Sequence, residues 1–373
     1  MKEIEILTTD AKVAELAVQL AAETAIAVDL EADSLHNYQE KICLIQISTT
    51  QRTVLIDPLA ATNLSPLRPV FADPAIRKIF HAADYDLRSL KRDFDLNVHG
   101  LFDTMICAQL LGEERVGLAD LLNRYFGVEL DKKYQKADWS QRPLPAEMIR
   151  YAAADTNYLH RLMDLFVERL ETLGRISWVA EECALLEEVR FADNSGPLCA
   201  RAKGAATLSR RELGVLECLL QWREVEGARL DRPVYKILGN KSMLDLAQRM
   251  PQEKNALRGI DGLPPRLVDR FGNALLAAVA KGRKIPEEEL PIFPRQPRKL
   301  RDPAREDRFK ALKKWREKEA VKYALDPGVL INNVALDALA LANPQTAAEL
   351  DKIVGLKKWQ KAELGDGLLG ALG

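Results

Sequence analysis

The first half of the chain reads as an α/β domain, a mixed sheet flanked by helices, and the second half as two small all-helical domains. Three observations lead there. Short strand-like runs and helix-spaced apolar residues share roughly the first 190 positions. A loop-like stretch then runs from Ala192 to Ala206, with Asn194-Ser-Gly-Pro197 and Arg201-Ala-Lys-Gly204. Beyond it, one series of helical motifs occurs twice.

Taken in order, Asp10 to Glu23 carries Val13, Leu16, Ala17 and Leu20 at helical spacing, with Thr9 or Asp10 as the cap. Three strand-like runs follow, Ile26 to Leu30, Ile42 to Ile47 and Thr53 to Ile56, close enough for hairpin connections. After Pro74, Lys78-Ile-Phe-His81 reads as a buried strand feeding a helix from about Asp84 to Arg92. Phe102-Asp103-Thr104 opens a helix through Leu111, and Asp103, just ahead of an apolar run, suits an N-cap better than a catalytic acid. Helices dominate from there, interrupted by the polar stretch 134–145. Leu219-Leu-Gln-Trp222-Arg-Glu224 recurs as Leu312-Lys-Lys-Trp315-Arg-Glu317, and Ile260-Asp-Gly262-Leu263 recurs as Ile353-Val-Gly355-Leu356. Trp to Gly spans 40 positions in both copies, which marks a duplicated domain. Each copy opens with an amphipathic helix, then a loop with Pro233 or Pro327, then short helices. The domains expected are therefore 1–200, 209–284 and 305–373, joined by a basic linker 285–304. In that linker Pro286, Pro291, Pro294, Pro297 and Pro303 disfavour regular structure.

Composition narrows the function classes. The net charge of −1 means that a nucleic-acid partner must be held by local patches. Such patches exist at Lys132, Lys133 and Lys136, and at Arg295, Arg298, Lys299, Arg301, Arg305 and Arg308. Five cysteines (43, 107, 183, 199, 218) show no C-x-x-C spacing, so buried, reduced thiols in a cytoplasmic protein are expected rather than disulfides. The N-terminus lacks a signal-peptide core, and no apolar run is long enough to span a membrane. Nothing in the sequence calls for an obligate protein partner.

Against this ordinary background, carboxylates recur in three stretches. In Ala25-Ile-Ala-Val-Asp29-Leu-Glu31, a strand places both acids on one face. In Arg150-Tyr151-Ala-Ala-Ala-Asp155, a helix places Tyr151 and Asp155 one turn apart. Between them, Phe80-His-Ala-Ala-Asp84-Tyr-Asp86-Leu offers two acids at a helix start, and spacing alone does not choose between Asp84 and Asp86. Acids gathered on one concave surface repel unless cations lie among them, and hard divalent ions prefer oxygen ligands. The pattern implies a carboxylate cage for two metal ions, Mg²⁺ or Mn²⁺, suited to phosphoryl transfer.

The ordered combination resembles the three exonuclease motifs of the DEDD superfamily in its tyrosine-bearing subclass. His81-Ala-Ala-Asp-Tyr-Asp86-Leu and Tyr151-Ala-Ala-Ala-Asp155-Thr-Asn-Tyr-Leu159 are similar to the bacterial ribonuclease D family. So are Ile42-Cys-Leu-Ile-Gln46-Ile-Ser48 and Asp138-Trp139-Ser-Gln-Arg142-Pro-Leu-Pro145. The first helical repeat resembles the HRDC domain, and the second is assigned by repetition. The resemblance implies a ribonuclease-H-like fold and a 3′-to-5′ exoribonuclease that releases nucleoside 5′-monophosphates. It implies metal ligation by Asp29, Glu31, Asp86 and Asp155. Asp84 is then left as a helix cap, and Tyr151 orients the attacking water. Substrate contacts are expected at His36, Gln46, His81, Trp139 and Arg142, and RNA 3′ ends, transfer-RNA precursors among them, are the expected partner. Two alternatives stay open at this level: a single-stranded DNA exonuclease with the same site, or a catalytically silent RNA-binding scaffold.

Overall fold

The computed structural model describes residues 4–131, 133–192, 195–293 and 302–373. Its first domain runs β1 (Ile4–Leu7), α1 (Asp10–Leu20), β2 (Ala25–Ala32), β3 (Ile42–Ser48), β4 (Thr53–Ile56), α2 (Arg68–Ala72), β5 (Arg77–Phe80) and α3 (Asp84–Phe94). It continues β6 (Leu101–Asp103), α4 (Thr104–Leu110), α5 (Leu118–Phe126), α6 (Ala146–Asn157), α7 (Leu159–Thr172) and α8 (Ile176–Glu187). The strands form one six-stranded sheet in the order β1-β4-β3-β2-β5-β6. The β2–β3 and β3–β4 pairs are the antiparallel hairpins expected, and the remaining pairs are parallel.

Two strands, β1 and β6, were not legible as strands. β6 has three residues, too few for alternation to show, and Asp103 already serves the helix that follows. Thr9, not Asp10, caps α1, and that helix stops at Leu20 rather than Glu23. All five cysteines are buried and unpaired to one another. No helix among the described residues is long and apolar enough to cross a membrane.

The described residues divide into two units, one drawn from 1–32, 42–191 and 300–373, the other from 33–41 and 192–299. The second unit holds the first helical repeat: α9 (Arg210–Leu230), α10 (Val234–Ile237), α11 (Asn240–Arg249), α12 (Lys254–Leu257) and α13 (Pro265–Arg283). Ser209 and Glu212 form a reciprocal capping box that starts α9. The first part of the expected linker does not hang free. Leu290 is buried, and Arg210 donates to the carbonyls of Glu287 (2.8 Å) and Leu290 (3.0 Å). The basic residues Arg295, Arg298, Lys299 and Arg301, like Lys132, lie outside the described residues.

The second repeat comprises α14 (Pro303–Tyr323), α15 (Pro327–Leu330), α16 (Asn333–Ala342), α17 (Ala347–Leu350) and α18 (Lys358–Leu372). Pro303, read from sequence as a breaker, sits in the first turn of α14 behind an Asp302 cap, where its missing N–H is not needed. Arg305 is held by Asp337, and Arg308 donates to the Ala340 carbonyl. Equivalence of the two repeats extends beyond their shared words. Arg223 Nη1 donates to the Leu238 carbonyl (2.9 Å) and Asn240 Oδ1 (2.7 Å); Arg316 Nη1 donates to Ile331 (2.8 Å) and Asn333 Oδ1 (3.0 Å). Within its unit the second repeat packs on α8. Trp359 stacks on Trp178 at 4.2 Å between ring centres, and the Glu181 carboxylate accepts from the N–H groups of Lys358 (2.7 Å) and Trp359 (2.9 Å).

Candidate metal centre and active site

Asp29 and Glu31 project from one face of β2, opposite Gln46 and Leu44 of β3. A register shift between Glu31 and Ala32 disturbs the ladder immediately after the acids, a common device next to functional sites. Helix α6 lies over this face. Met148 and Ala152 pack with Leu44 and Leu55, and the small Ala152 side chain lets the helix approach closely. Polar pegs set its rotation and hold the start of α7. Ser48 Oγ meets Thr156 Oγ1 at 2.6 Å, Thr53 Oγ1 donates to Asn157 Oδ1 at 2.7 Å, and His160 Nε2 bonds the Ser48 carbonyl at 2.9 Å. Tyr151 and Asp155 are thereby turned toward the strand acids. One carboxylate oxygen each from Asp29, Glu31 and Asp155 lie within 4.8 Å of one another.

Asp86 lies outside this three-acid group but near enough for its charge to act on Glu31, and it is positioned by another route. The chain leaves β5 through Ala82, whose φ of 65° is left-handed, a conformation that costs a non-glycine residue about 1 kcal/mol or more. The Asp103 carboxylate holds this turn by accepting from the N–H groups of Ala82 (3.0 Å) and Ala83 (2.8 Å). It also caps α4 through Met105 N (2.8 Å) and Ile106 N (3.3 Å). Asp103 is thus the N-cap expected, and additionally the staple that aims the first turn of α3. Asp86 in that turn is buried. Asp84 differs from expectation: it does not cap α3, whose N-cap is Ala83, but forms a surface ion pair with Arg88 (2.9 Å).

Electrostatics distinguish these acids from the rest of the chain. Burial, and then the charges of Asp29, Asp155 and Asp86, push the Glu31 carboxyl up to about 10. Burial and the Asp29 charge push Asp155 up to about 8. Asp29 rises to about 6 through burial, against a backbone hydrogen bond that lowers it. Asp86 is raised well above the carboxylate range by burial, Asp29 and Asp103. No lysine or arginine acts among these causes. All donors of this cluster are hard carboxylate oxygens, which suit a divalent ion of the Mg²⁺ or Mn²⁺ type. Beside Asp29, both amide atoms of fully buried Gln46 lack a hydrogen-bond partner. The cluster opens into a cavity of about 430 Å³ lined also by His81, Asp131, Gln135 and Tyr151.

Tyr151 is held between Trp139 (ring centres 5.9 Å) and Tyr134 (5.8 Å). Burial, then Asp155 and Glu31, raises its phenol further above its ordinary value, so it stays protonated. His81 lines the cavity with Nδ1 at 2.9 Å from Thr104 Oγ1, and burial lowers its pKa, which favours the neutral ring. Trp139 is 1% exposed and backs Tyr151. Arg142 is engaged with Asp57 (2.6 and 2.7 Å) and with the Cys43 carbonyl (2.8 Å). His36 lies in the 33–41 segment of the other unit, where its N–H donates to the Asp33 carbonyl at 2.8 Å. Sequence reasoning missed Tyr134 and the Ser48–Thr156 peg, because each acts through a partner elsewhere in the chain, and Asp131, which joins the site only by lining the folded cavity.

Comparison with known proteins agrees with this geometry. The 3′-5′ exonuclease family model matches residues 4–171, and the HRDC domain model matches 212–279 and 305–372. Ribonuclease D of Granulibacter bethesdensis is 30% identical over 368 residues, covering 98% of this chain and 91% of that protein. The chain belongs to the ribonuclease D family. Ribonuclease D of Acidiphilium cryptum is 33% identical over 300 residues, 80% of this chain and 76% of that protein. Among solved structures, Escherichia coli RNase D, described as an exoribonuclease involved in structured RNA processing, has a TM-score of 0.74. It is 27% identical, with 99% of this chain and 98% of that chain covered. The catalytic core of RRP6 from Trypanosoma brucei gives a TM-score of 0.65 and 32% identity over 76% of this chain and 80% of that one. This ribonuclease D family member is a nuclease hydrolase of the 3′–5′ exonuclease class, a family that works with divalent metals, and its structure gathers an acidic cluster to match.

Proposed function

We propose that the chain removes nucleoside 5′-monophosphates from RNA 3′ ends in the cytoplasm, maturing transfer-RNA precursors or trimming structured RNAs. The observation that carries the site assignment is the convergence of Asp29, Glu31 and Asp155 within 4.8 Å, with Asp86 close enough to raise Glu31. In this reading the four acids hold two divalent ions, Mg²⁺ or Mn²⁺. Bound there, the ions supply positive charge against the charge that builds on the attacked phosphate and its leaving oxygen. Tyr151, protonated and braced by Trp139 and Tyr134, orients the attacking water by a hydrogen bond and does not act as its base. Gln46, fully buried beside Asp29 and outside the cavity lining, remains a candidate contact. His81, neutral, lines the cavity that takes the terminal nucleotide. Trp139 and Arg142 act indirectly, by holding the segment behind Tyr151, and His36 remains a candidate contact to the terminal nucleotide. The exonuclease domain is assigned to 1–200, the HRDC domains to 209–284 and 305–373, and the linker to 285–304.

Digestion of matched 5′-labelled RNA and DNA oligomers tests this reading. The expected result is a descending ladder from RNA with nucleoside 5′-monophosphate released, lost with chelator and restored by Mg²⁺ or Mn²⁺. Cleavage of DNA in preference to RNA, internal cuts, or activity indifferent to chelator would each overturn it.

A further inference from the structure

The cavity at the acids does not end there. A second hollow of about 460 Å³ shares Leu130, Asp131, Tyr151 and Asp155 with it and extends to Arg150 and Ala154. A third, about 590 Å³, shares Glu129, Leu130, Arg150 and Ala154 with the second and extends to Asn157 and Arg161. The three form one trough within a single unit of the protein, wrapping α6 from its acid side to its opposite flank. α7 follows α6 directly through Tyr158, so six residues at about 1.5 Å each set Arg161 roughly 9 Å along the helix from Asp155.

The charged residues at the near end of this trough are acids, whereas the far end brings in two arginines, Arg150 and Arg161, against two acids. Arg161 is set over the Phe126 ring at 4.5 Å from guanidinium carbon to ring centre, a contact that orients the group without neutralising it. Other arginines of the same domain are spent on carboxylates, Arg142 on Asp57 and both Arg124 and Arg169 on Glu113. Arg150 lines both the second and third hollows, one residue before Tyr151. Glu129 and Asp164 also line the third hollow, and Glu147, on whose carboxylate the Arg150 charge acts, lines the second.

Resting on the exonuclease reading, the geometry points to a phosphate-tracking subsite for the upstream strand, in which Arg150 and Arg161 grip backbone phosphates 5′ of the scissile bond. The occupant is single-stranded RNA continuous with the terminal nucleotide at the acids. The subsite makes the enzyme favour longer strands and draws the chain forward after each cleavage.

The test compares full-length wild-type protein with the R150Q/R161Q variant on a ribodinucleotide and on a single-stranded RNA decamer. For wild type, kcat/KM on the decamer exceeds that on the dinucleotide; in the variant this ratio falls about tenfold, through KM on the decamer. The slope of log binding against log salt for the decamer falls by about 1.4, at about 0.7 per lost phosphate contact on a single strand. An unchanged ratio, or equal losses on both substrates with an unchanged salt slope, overturns the inference while leaving the exonuclease reading intact. Wild-type protein inactive on both RNAs overturns that reading and this inference with it. R161K, which retains charge, should recover most of the salt slope relative to R161Q; a variant no better than R161Q contradicts the electrostatic basis.

Discussion

Replacing Glu31 with glutamine removes a charge from a place that resists it. The metal-free E31Q protein should be more stable than wild type at pH 8, yet lose its response to metal. Burial and three neighbouring acids raise the Glu31 carboxyl from 4.5 to about 10. With the folded value above the unfolded one, the native chain keeps a proton that the unfolded chain releases. Stability from this group is therefore full below about pH 4.5 and is lost progressively as pH rises toward 10. At pH 8 the unfolded carboxyl lies about 3.5 pH units below the solution, which at about 1.4 kcal/mol per unit sets a ceiling of ~5 kcal/mol. Water entry and relaxation around a buried charge reduce the expected gain to about 2–3 kcal/mol. In a domain of this size that raises Tm by roughly 5–10 °C. Thermal unfolding in chelator at pH 5 and pH 8, repeated with excess Mn²⁺, reads the effect. Wild type should lose stability between the two pH values and regain it with Mn²⁺, whereas E31Q should do neither to the same degree. Equal Tm values for the two proteins at pH 8 in chelator would refute the electrostatic argument, as would Mn²⁺ stabilising E31Q as much as wild type.

Three further outcomes follow from the same structure. Asp86→Asn should abolish turnover, at least about 10³-fold by analogy with loss of one charge-stabilising group, whereas Asp84→Asn, which removes only a solvent-screened surface pair, should change kcat less than twofold; the reverse order in steady-state assays contradicts the assignment. Tyr151→Phe should lower kcat about 10²-fold or more while Mn²⁺ affinity by calorimetry stays within about twofold, if the phenol orients water and holds no metal as proposed. Trp359→Ala should destabilise the protein by about 3–5 kcal/mol in denaturant unfolding, because it removes the ring stacked on Trp178; a loss under 1 kcal/mol would show that this contact does not anchor the second repeat to α8.

Much of this was legible in the chain because it rests on short periodicities. Asp29 and Glu31 share a strand face, and Tyr151 and Asp155 a helix face, whatever surrounds them. The duplication was visible because Trp222 and Trp315 keep the same distance to Gly262 and Gly355. What was not legible depends on residues distant in sequence. Asp103 was readable as a cap but not as the staple of the turn at Ala82, since those N–H groups lie some twenty positions upstream. The same holds for Arg142, whose guanidinium looks available in a polar loop until Asp57 closes on it. Spacing did not separate Asp84 from Asp86; the resemblance did, and the physical difference between them is burial, which only the fold supplies.

Counting Mn²⁺ bound per chain, by electron paramagnetic resonance in the presence of a nucleoside monophosphate, tests the central claim most directly. Wild type should bind two ions close enough to couple magnetically, and Asp29→Asn should lose the coupled pair. One isolated ion, none at saturation, or a coupled pair that persists in Asp29→Asn would contradict a carboxylate cage built from Asp29, Glu31, Asp86 and Asp155.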